Sequence, residues 1–207
     1  MNKLTEFLVN SILEIEIPGK AALFGGGFKP PTKGHLEVVL QGLKQNPEVD
    51  EVYIFVGSGV RNNISQEESI KIWEMYKTLI PVKTTIVKSG SPLNDTRKFY
   101  ADMEGEKPLI FIGSREGDEG DEADFEERSK YYAKYDITPT KITTSDFQVS
   151  GTKARNAALN DDRKELNTYL PDALSDSQKE EIYDMLRSVV KENVPNVEDD
   201  GKAAPFG

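Results

Sequence analysis

Hydrophobic residues recur along the chain in two alternating patterns: short, nearly continuous runs that end in glycine, and stripes at helical spacing. The run Ala21, Ala22, Leu23, Phe24 leads into Gly25, Gly26 and Gly27 and predicts a buried strand closing in a glycine turn. Beyond Pro30 and Pro31, Leu36, Val39, Leu40 and Leu43 fall at i, i+3, i+4 and i+7, the apolar stripe of a helix that starts near Gly34. Val52 to Val56 reads as a second buried strand, broken by Gly57, Ser58 and Gly59. Ser65 and Glu68 supply the S-x-x-E of a capping box ahead of Ile72, Met75, Tyr76 and Leu79, which share one helical face.

The alternation continues to the end of the apolar sequence. Val82 to Val87 is a third strand, Ser91-Pro92 opens a helix that runs through Tyr100, and Leu109 to Ile112 is a fourth strand closing on Gly113-Ser114. A helix around Phe125 to Tyr135 and a strand around Lys141 to Thr144 complete the series. Strands that are apolar on both sides, separated by helices, predict an α/β fold. Its core is a parallel five-stranded sheet with helices on both faces, which binds ligands at the carboxyl ends of the strands. Ile182, Met185, Leu186, Val189 and Val190 add a C-terminal helix within 175–191. The units are then an amphipathic N-terminal segment over 1–17, a main domain over 18–170, a helical extension over 171–193 and a polar tail over 194–207, with no internal repeat.

Composition narrows the function classes. A chain of 207 residues suits one domain that buries roughly 70% of the surface it exposes unfolded. With 26 basic and 36 acidic side chains the net charge is −10, which argues against nucleic acid or an anionic membrane as a broad, non-specific partner. Cysteine is absent, excluding disulfides, thiolate nucleophiles and cysteine metal sites. No apolar run approaches the ~20 residues that span a bilayer, and the first residues lack the apolar core of a signal peptide, so a cytoplasmic protein is expected. Residues 116–127 carry eight acids and no base, leaving the rest of the chain at only −2. This stretch reads as a flexible, solvated loop, with a divalent cation site or a moving lid as the alternatives; its spacing does not match an EF-hand.

The chemistry concentrates at the first glycine turn. Three glycines let backbone N–H groups approach a phosphate, and the following helix start adds unsatisfied donors and a positive dipole end. Neither a Walker A loop nor G-x-G-x-x-G is present, since Pro30 stands where the third glycine belongs. Thr32 and His35 lie one helical turn apart, and His35 is the only histidine in the chain.

These residues resemble the nucleotidyltransferase superfamily with the HxGH signature, whose pattern G-x-F-x-P-P-[HT]-x-G-H is met at Gly26, Phe28, Pro30, Pro31, Thr32, Gly34 and His35. The family's second signature, [IV]-S-[GST]-T-x-x-R, is met about 115 residues further on by Val149-Ser150-Gly151-Thr152-Lys153-Ala154-Arg155. A third match, Gly57-Ser58 followed by Ser65-Gln-Glu-Glu68-Ser69, lacks the family's arginine after the glutamate. The resemblance spans roughly residues 20 to 160 and implies a Rossmann-like domain. The first histidine of HxGH is here Thr32, as in short cytidylyltransferase-like proteins encoded by large tailed bacteriophages, which this chain also resembles.

What the resemblance implies is transfer of a nucleoside monophosphate from CTP or ATP, with Mg²⁺, to a phosphorylated small-molecule acceptor, releasing pyrophosphate. The catalytic residues are then His35, Thr32 and Arg155. Nucleotide contacts fall to Gly26, Gly27, Phe28, Lys29, Gly34, Ser150, Gly151, Thr152 and Lys153, while Ser58, Arg61 and Arg115 are candidates for the acceptor. No protein-bound metal site is expected. The acceptor is a small polar alcohol phosphate or sugar phosphate as readily as a mononucleotide, and a homo-oligomer stays open. The alternative is a nucleotide-binding or virion-associated protein of the same fold without turnover, located inside the virion with capsid proteins as partners; Ile12-Leu13-Glu14 fits loosely the cut site of a capsid-targeting peptide. A class I aminoacyl-tRNA synthetase fragment lacks both a KMSKS run and room for an anticodon-binding domain.

Overall fold

The computed structural model describes residues 19–145 and 149–191. The amphipathic segment expected over 1–17 and the tail over 194–207 lie outside the described residues. Five strands, β1 (Lys20–Gly26), β2 (Val49–Gly57), β3 (Lys83–Ser89), β4 (Leu109–Arg115) and β5 (Thr140–Thr144), form one all-parallel sheet in the order β3-β2-β1-β4-β5. Helices α1 (Lys33–Gln45), α2 (Gln66–Lys77), α3 (Pro92–Asp102) and α4 (Glu119–Ala133) are the crossovers. They are followed after β5 by α5 (Gly151–Leu159), α6 (Arg163–Thr168) and α7 (Asp176–Lys191). This is the expected α/β Rossmann-like architecture.

Alternate side chains of each strand enter opposite cores, which is why the strands read as continuous apolar runs. Ala22 and Phe24 of β1 join Val52, Ile54, Val56, Phe111 and Ile142 beneath α1, α2 and α5 to α7. Leu23 joins Phe55, Ile110 and Ile112 beneath α3 and α4 on the other face. The C-terminal α7 belongs to the first of these cores through Ile182, Tyr183 and Leu186. Its Val189 carbonyl also accepts from Asn63 Nδ2 at 3.0 Å, tying the loop after β2 to the end of the helix. Among the described residues no helix is long and apolar enough to cross a membrane.

Close approach of α1 to the sheet depends on Gly42, where a Cβ would lie 2.4 Å from the Phe111 ring. Alanine there gains about 1 kcal/mol of helix propensity, whereas overpacking a filled core costs about 1–3 kcal/mol. Gly42→Ala is therefore expected to lose about 1 kcal/mol net, seen as a lower urea midpoint at unchanged m-value.

The acidic stretch over 116–127 corrects the expectation of a loop, because most of it forms the first turns of α4. Asp118 caps the helix, its carboxylate accepting from Asp121 N–H at 3.0 Å, and Glu119, Asp121 and Glu122 occupy the first turn, where the helix dipole favours negative charge. Bases on β4 and β5 pair with the same acids. Arg115 reaches Asp118 at 2.8 Å and Asp121 at 2.7 Å, and Lys141 donates to Glu122 at 2.6 Å. A count of like charges along the chain omits both effects.

Candidate functional site

The strand order reverses between β1 and β4, and the crevice of such a sheet opens at that point beyond the carboxyl ends of the strands. A cleft of about 320 Å³ lies there, walled by the turn after β1, the end of β4 and the N-terminal residues of α1 and α5. Two further clefts, of about 340 and 540 Å³, adjoin it, and Gly27 lines all three. Both expected signatures thus open onto one system of clefts.

The glycine turn is shaped by Phe28. Its φ of 49° is left-handed, a conformation that is costly for a bulky residue, on the order of 1–3 kcal/mol, and that persists where packing over-determines it. The ring is buried, with centroids 5.2 Å from Phe24 and from Trp73 and 5.1 Å from His35, which it meets edge-on at 83°. A Cβ at Gly26 would strike this ring at 2.7 Å, whereas one at Gly27 would meet nothing within 4 Å. A Cβ at Gly34 would make only ordinary van der Waals contacts, 3.8 Å from Thr32 Oγ1 and 4.0 Å from Val149 Cβ.

Thr32 caps α1 and is turned inward, only 1% exposed. Its backbone N–H donates to His35 Nδ1 at 3.0 Å, and its Oγ1 lies 2.9 Å from the same nitrogen. An amide N–H can only donate, so Nδ1 is the acceptor and the imidazole proton sits on Nε2. Burial pushes the His35 pKa down to about 4, against a smaller upward pull from Asp121. The imidazole is therefore neutral at physiological pH, with its one N–H free of the Thr32 contact, and it lines both the first and second clefts.

The second signature starts α5. Ser150 is the N-cap, its Oγ accepting from Lys153 N–H at 3.1 Å. Gly151 lies against the first signature: a Cβ there would come within 3.0 Å of the Lys29 carbonyl. Arg155, 7% exposed, donates from Nη1 to that same carbonyl and from Nη2 to Thr152 Oγ1 at 2.8 Å. Two turns 126 residues apart are thereby joined by a guanidinium. Lys29 is also buried, and its ammonium donates to the carbonyls of Gly27 at 2.8 Å and Gly57 at 2.9 Å and to Ser69 Oγ at 3.2 Å. Ser69 stands where the resemblance expects arginine. Burial lowers the Lys29 pKa, opposed by Glu67 and Glu68.

The second cleft, about 340 Å³, takes Lys29, Arg61, Arg155, His35, Gly151 and Thr152 into its wall, and among the described residues no acidic side chain lines it. Burial lowers the Arg155 pKa, and the charge of Arg61 lowers it further. Two guanidinium groups that repel each other, in a cleft lined by no carboxylate among the described residues, are arranged to receive an anion. Among the described residues no cluster of three His, Asp or Glu side chains is arranged to hold a metal ion.

The other expected contacts are dispersed. Lys153 is exposed on the first turn of α5, and Ser58 is exposed after β2, donating to the Gly90 carbonyl at 3.2 Å. Arg115 lines the first cleft, not the second where Arg61 lies, and is held by Asp118 and Asp121. Sequence reasoning missed the contribution of α4, whose Asp121, Asp124 and Arg128 line the first cleft. Arg128 pairs with Asp124 at 2.8 Å and donates to the Gly25 carbonyl at 3.3 Å. The i, i+4 spacing of Asp124 and Arg128 was the available signal, but nothing local connects them to a turn 103 residues away.

No protein-family model matches the chain, and no curated protein matches it. Solved structures do. Thermotoga maritima TmcAL bound with alpha-thio ATP superimposes with a TM-score of 0.51 at 12% identity, over 83% of this chain and 56% of that chain. Plasmodium falciparum nicotinic acid mononucleotide adenylyltransferase complexed with APC gives 0.47 at 11% identity, over 84% of this chain and 95% of that one. The same enzyme complexed with NaAD gives 0.44 at 14% identity over the same shares. At 12% identity the likeness to the TmcAL chain is one of fold alone. This chain spans just over half of the TmcAL chain.

Proposed function

We propose that the protein is a nucleotidyltransferase that moves a nucleoside monophosphate from a nucleoside triphosphate, ATP or CTP, to a phosphorylated small molecule. The observation that carries this reading is the second cleft, lined by cations and, among the described residues, by no carboxylate, in a chain of net charge −10, with both signature turns in its wall. The triphosphate tail lies there, against Arg61, Arg155 and the field of Lys29, with the nucleoside in the first cleft. An oxygen of the acceptor phosphate attacks the α-phosphorus, and the bond from that phosphorus to the bridging oxygen of the β-phosphate breaks. A new phosphoanhydride forms and pyrophosphate leaves with the electron pair. The protein supplies position and charge rather than a covalent intermediate. His35 Nε2–H donates to the α-phosphate, Thr32 holds the tautomer that makes this donor available, and the N-terminus of α5, whose Gly151 and Thr152 line the second cleft, faces the departing phosphates. We place Mg²⁺ with the triphosphate as part of the substrate, since the described residues offer it no dedicated carboxylate cluster.

A thermal-shift and pyrophosphate-release screen tests this reading. ATP or CTP is expected to raise Tm where the bare nucleoside does not, and pyrophosphate to appear only with a phosphorylated acceptor. One observation favours a binder without turnover: the Lys29 protons and two Arg155 donors are already engaged within the protein. Triphosphate binding without pyrophosphate from any acceptor identifies that case.

A further inference from the structure

The third cleft, about 540 Å³, lies between the start of α3 and one face of α4 and meets the other two at Gly27. Its walls differ from theirs. Pro92 and Leu93 of α3 face Tyr131 of α4, whose hydroxyl stands 3.5 Å from Asn94 Oδ1 and whose ring packs on Tyr132 and Tyr135 at 5.4 and 5.5 Å. These contacts make a firm apolar wall of the kind that holds a flat body. Arg128 stands where the first and third clefts join, since it lines both. Its Nε is paired to Asp124 and its Nη1 to the Gly25 carbonyl, which sets the guanidinium beside the glycine turn and leaves Nη2 for another partner. Asp124, Glu127, Lys130 and Lys134 also line the cleft, and of its three cations only Arg128 lines the first cleft as well, so a phosphate held at Arg128 lies towards the nucleotide site.

We infer that the third cleft is the acceptor site, with Arg128 holding the acceptor phosphate next to Gly27 and Tyr131, Leu93 and Pro92 receiving an aromatic or otherwise flat apolar body. This rests on the nucleotidyl-transfer reading and deepens it. The acceptor class becomes a phosphomonoester of a flat apolar alcohol or ring system, rather than of a small polyol, and the acceptor-binding arginine is Arg128, not Arg61 or Arg115. Arg61 belongs to the second cleft, and the Arg115 guanidinium is held by two carboxylates.

The test is calorimetric titration of the full chain with phenyl phosphate and with glycerol 3-phosphate, each with and without saturating ATP. Phenyl phosphate is expected to bind about tenfold more tightly than glycerol 3-phosphate, and ATP not to displace it. Arg128→Ala is expected to weaken both by about tenfold or more, and Tyr131→Ser to erase the difference between them. Circular dichroism and Tm establish that each variant is folded, and Arg128→Lys provides a second variant that keeps the charge and loses the fork. Equal affinities in the wild type, no binding of either phosphate at millimolar concentration, displacement by ATP, or an Arg128→Ala variant that binds as the wild type does each overturns the inference. If ATP itself fails to bind, it is the nucleotidyl-transfer reading that has failed. If ATP binds while phenyl phosphate ignores Arg128, only the acceptor assignment falls.

Discussion

Replacing His35 by asparagine is expected to lower pyrophosphate-forming turnover by about 10²–10³-fold while leaving the start of α1 intact, the usual scale for removing one preorganised donor to a transition-state oxyanion. Asparagine is the informative replacement because its Oδ1 can accept from the Thr32 N–H, as Nδ1 does at 3.0 Å, while nothing replaces Nε2–H. The same variant carries a stability signature. The native pKa of His35, about 4, lies below the unfolded value near 6.5, so between those values the unfolded chain binds more protons. Stability from this group is fully present above about pH 6.5 and is lost as pH falls, the loss levelling out below about pH 4 at up to about 3 kcal/mol. His35→Asn lacks that loss. Urea unfolding of both proteins at pH 7 and pH 4.5 should show the variant gaining on the wild type in acid; parallel pH dependences would mean that His35 is not held neutral.

Gly27→Val should produce a still larger loss of activity, more than about 10³-fold, with no loss of stability. A side chain at Gly27 meets no protein atom within 4 Å and the residue does not adopt the left-handed conformation, so the fold accommodates it. Removing a glycine from an exposed turn restricts the unfolded chain and adds about 0.4–1 kcal/mol where the backbone permits. Yet the isopropyl group stands where the three clefts meet, in the path of the attacking oxygen, and displacing reacting atoms by about 1 Å can already cost about 10²-fold. Gly26→Ala is the contrast: its Cβ would strike the Phe28 ring at 2.7 Å, so this variant should lose Tm as well as activity. Tm and turnover measured together separate the two. A Gly27→Val protein that turns over normally would place the reacting atoms elsewhere.

Much of the fold was legible because its determinants are local. Ala21 to Phe24 reads as a strand whatever surrounds it, although β1 runs on through Gly25 and Gly26 and leaves only Gly27 of the three glycines to the turn. Ser65 and Glu68 form the expected capping box, with Ser65 N–H donating to Glu68 at 2.9 Å and Ser65 Oγ accepting from Glu67 N–H at 3.1 Å. What could not be read depends on residues far apart in the chain. The placement of β4 beside β1 sets the crevice, but β-branched runs carry no label for their partner. The acids over 116–127 look repulsive until the dipole of α4 and the side chains of Arg115 and Lys141 are set against them. Likewise the pattern around Thr32 and His35 marks a pair, but only the inward turn of Thr32 shows that one residue orients the other.

The cationic cleft has a consequence for what the protein admits. The chain carries a net charge of −10, of which the acids over 116–127 supply −8, and at physiological ionic strength the field of that charge extends about 8 Å from the surface. A duplex or a long polyanion, too broad to reach Arg61 and Arg155 without also approaching that exterior, is repelled. A compact anion that fits inside the recess passes into a local well of opposite sign. The contrast between exterior and recess therefore acts as a size filter among phosphorylated molecules, and added salt should blunt the exclusion of large polyanions and the capture of small ones together.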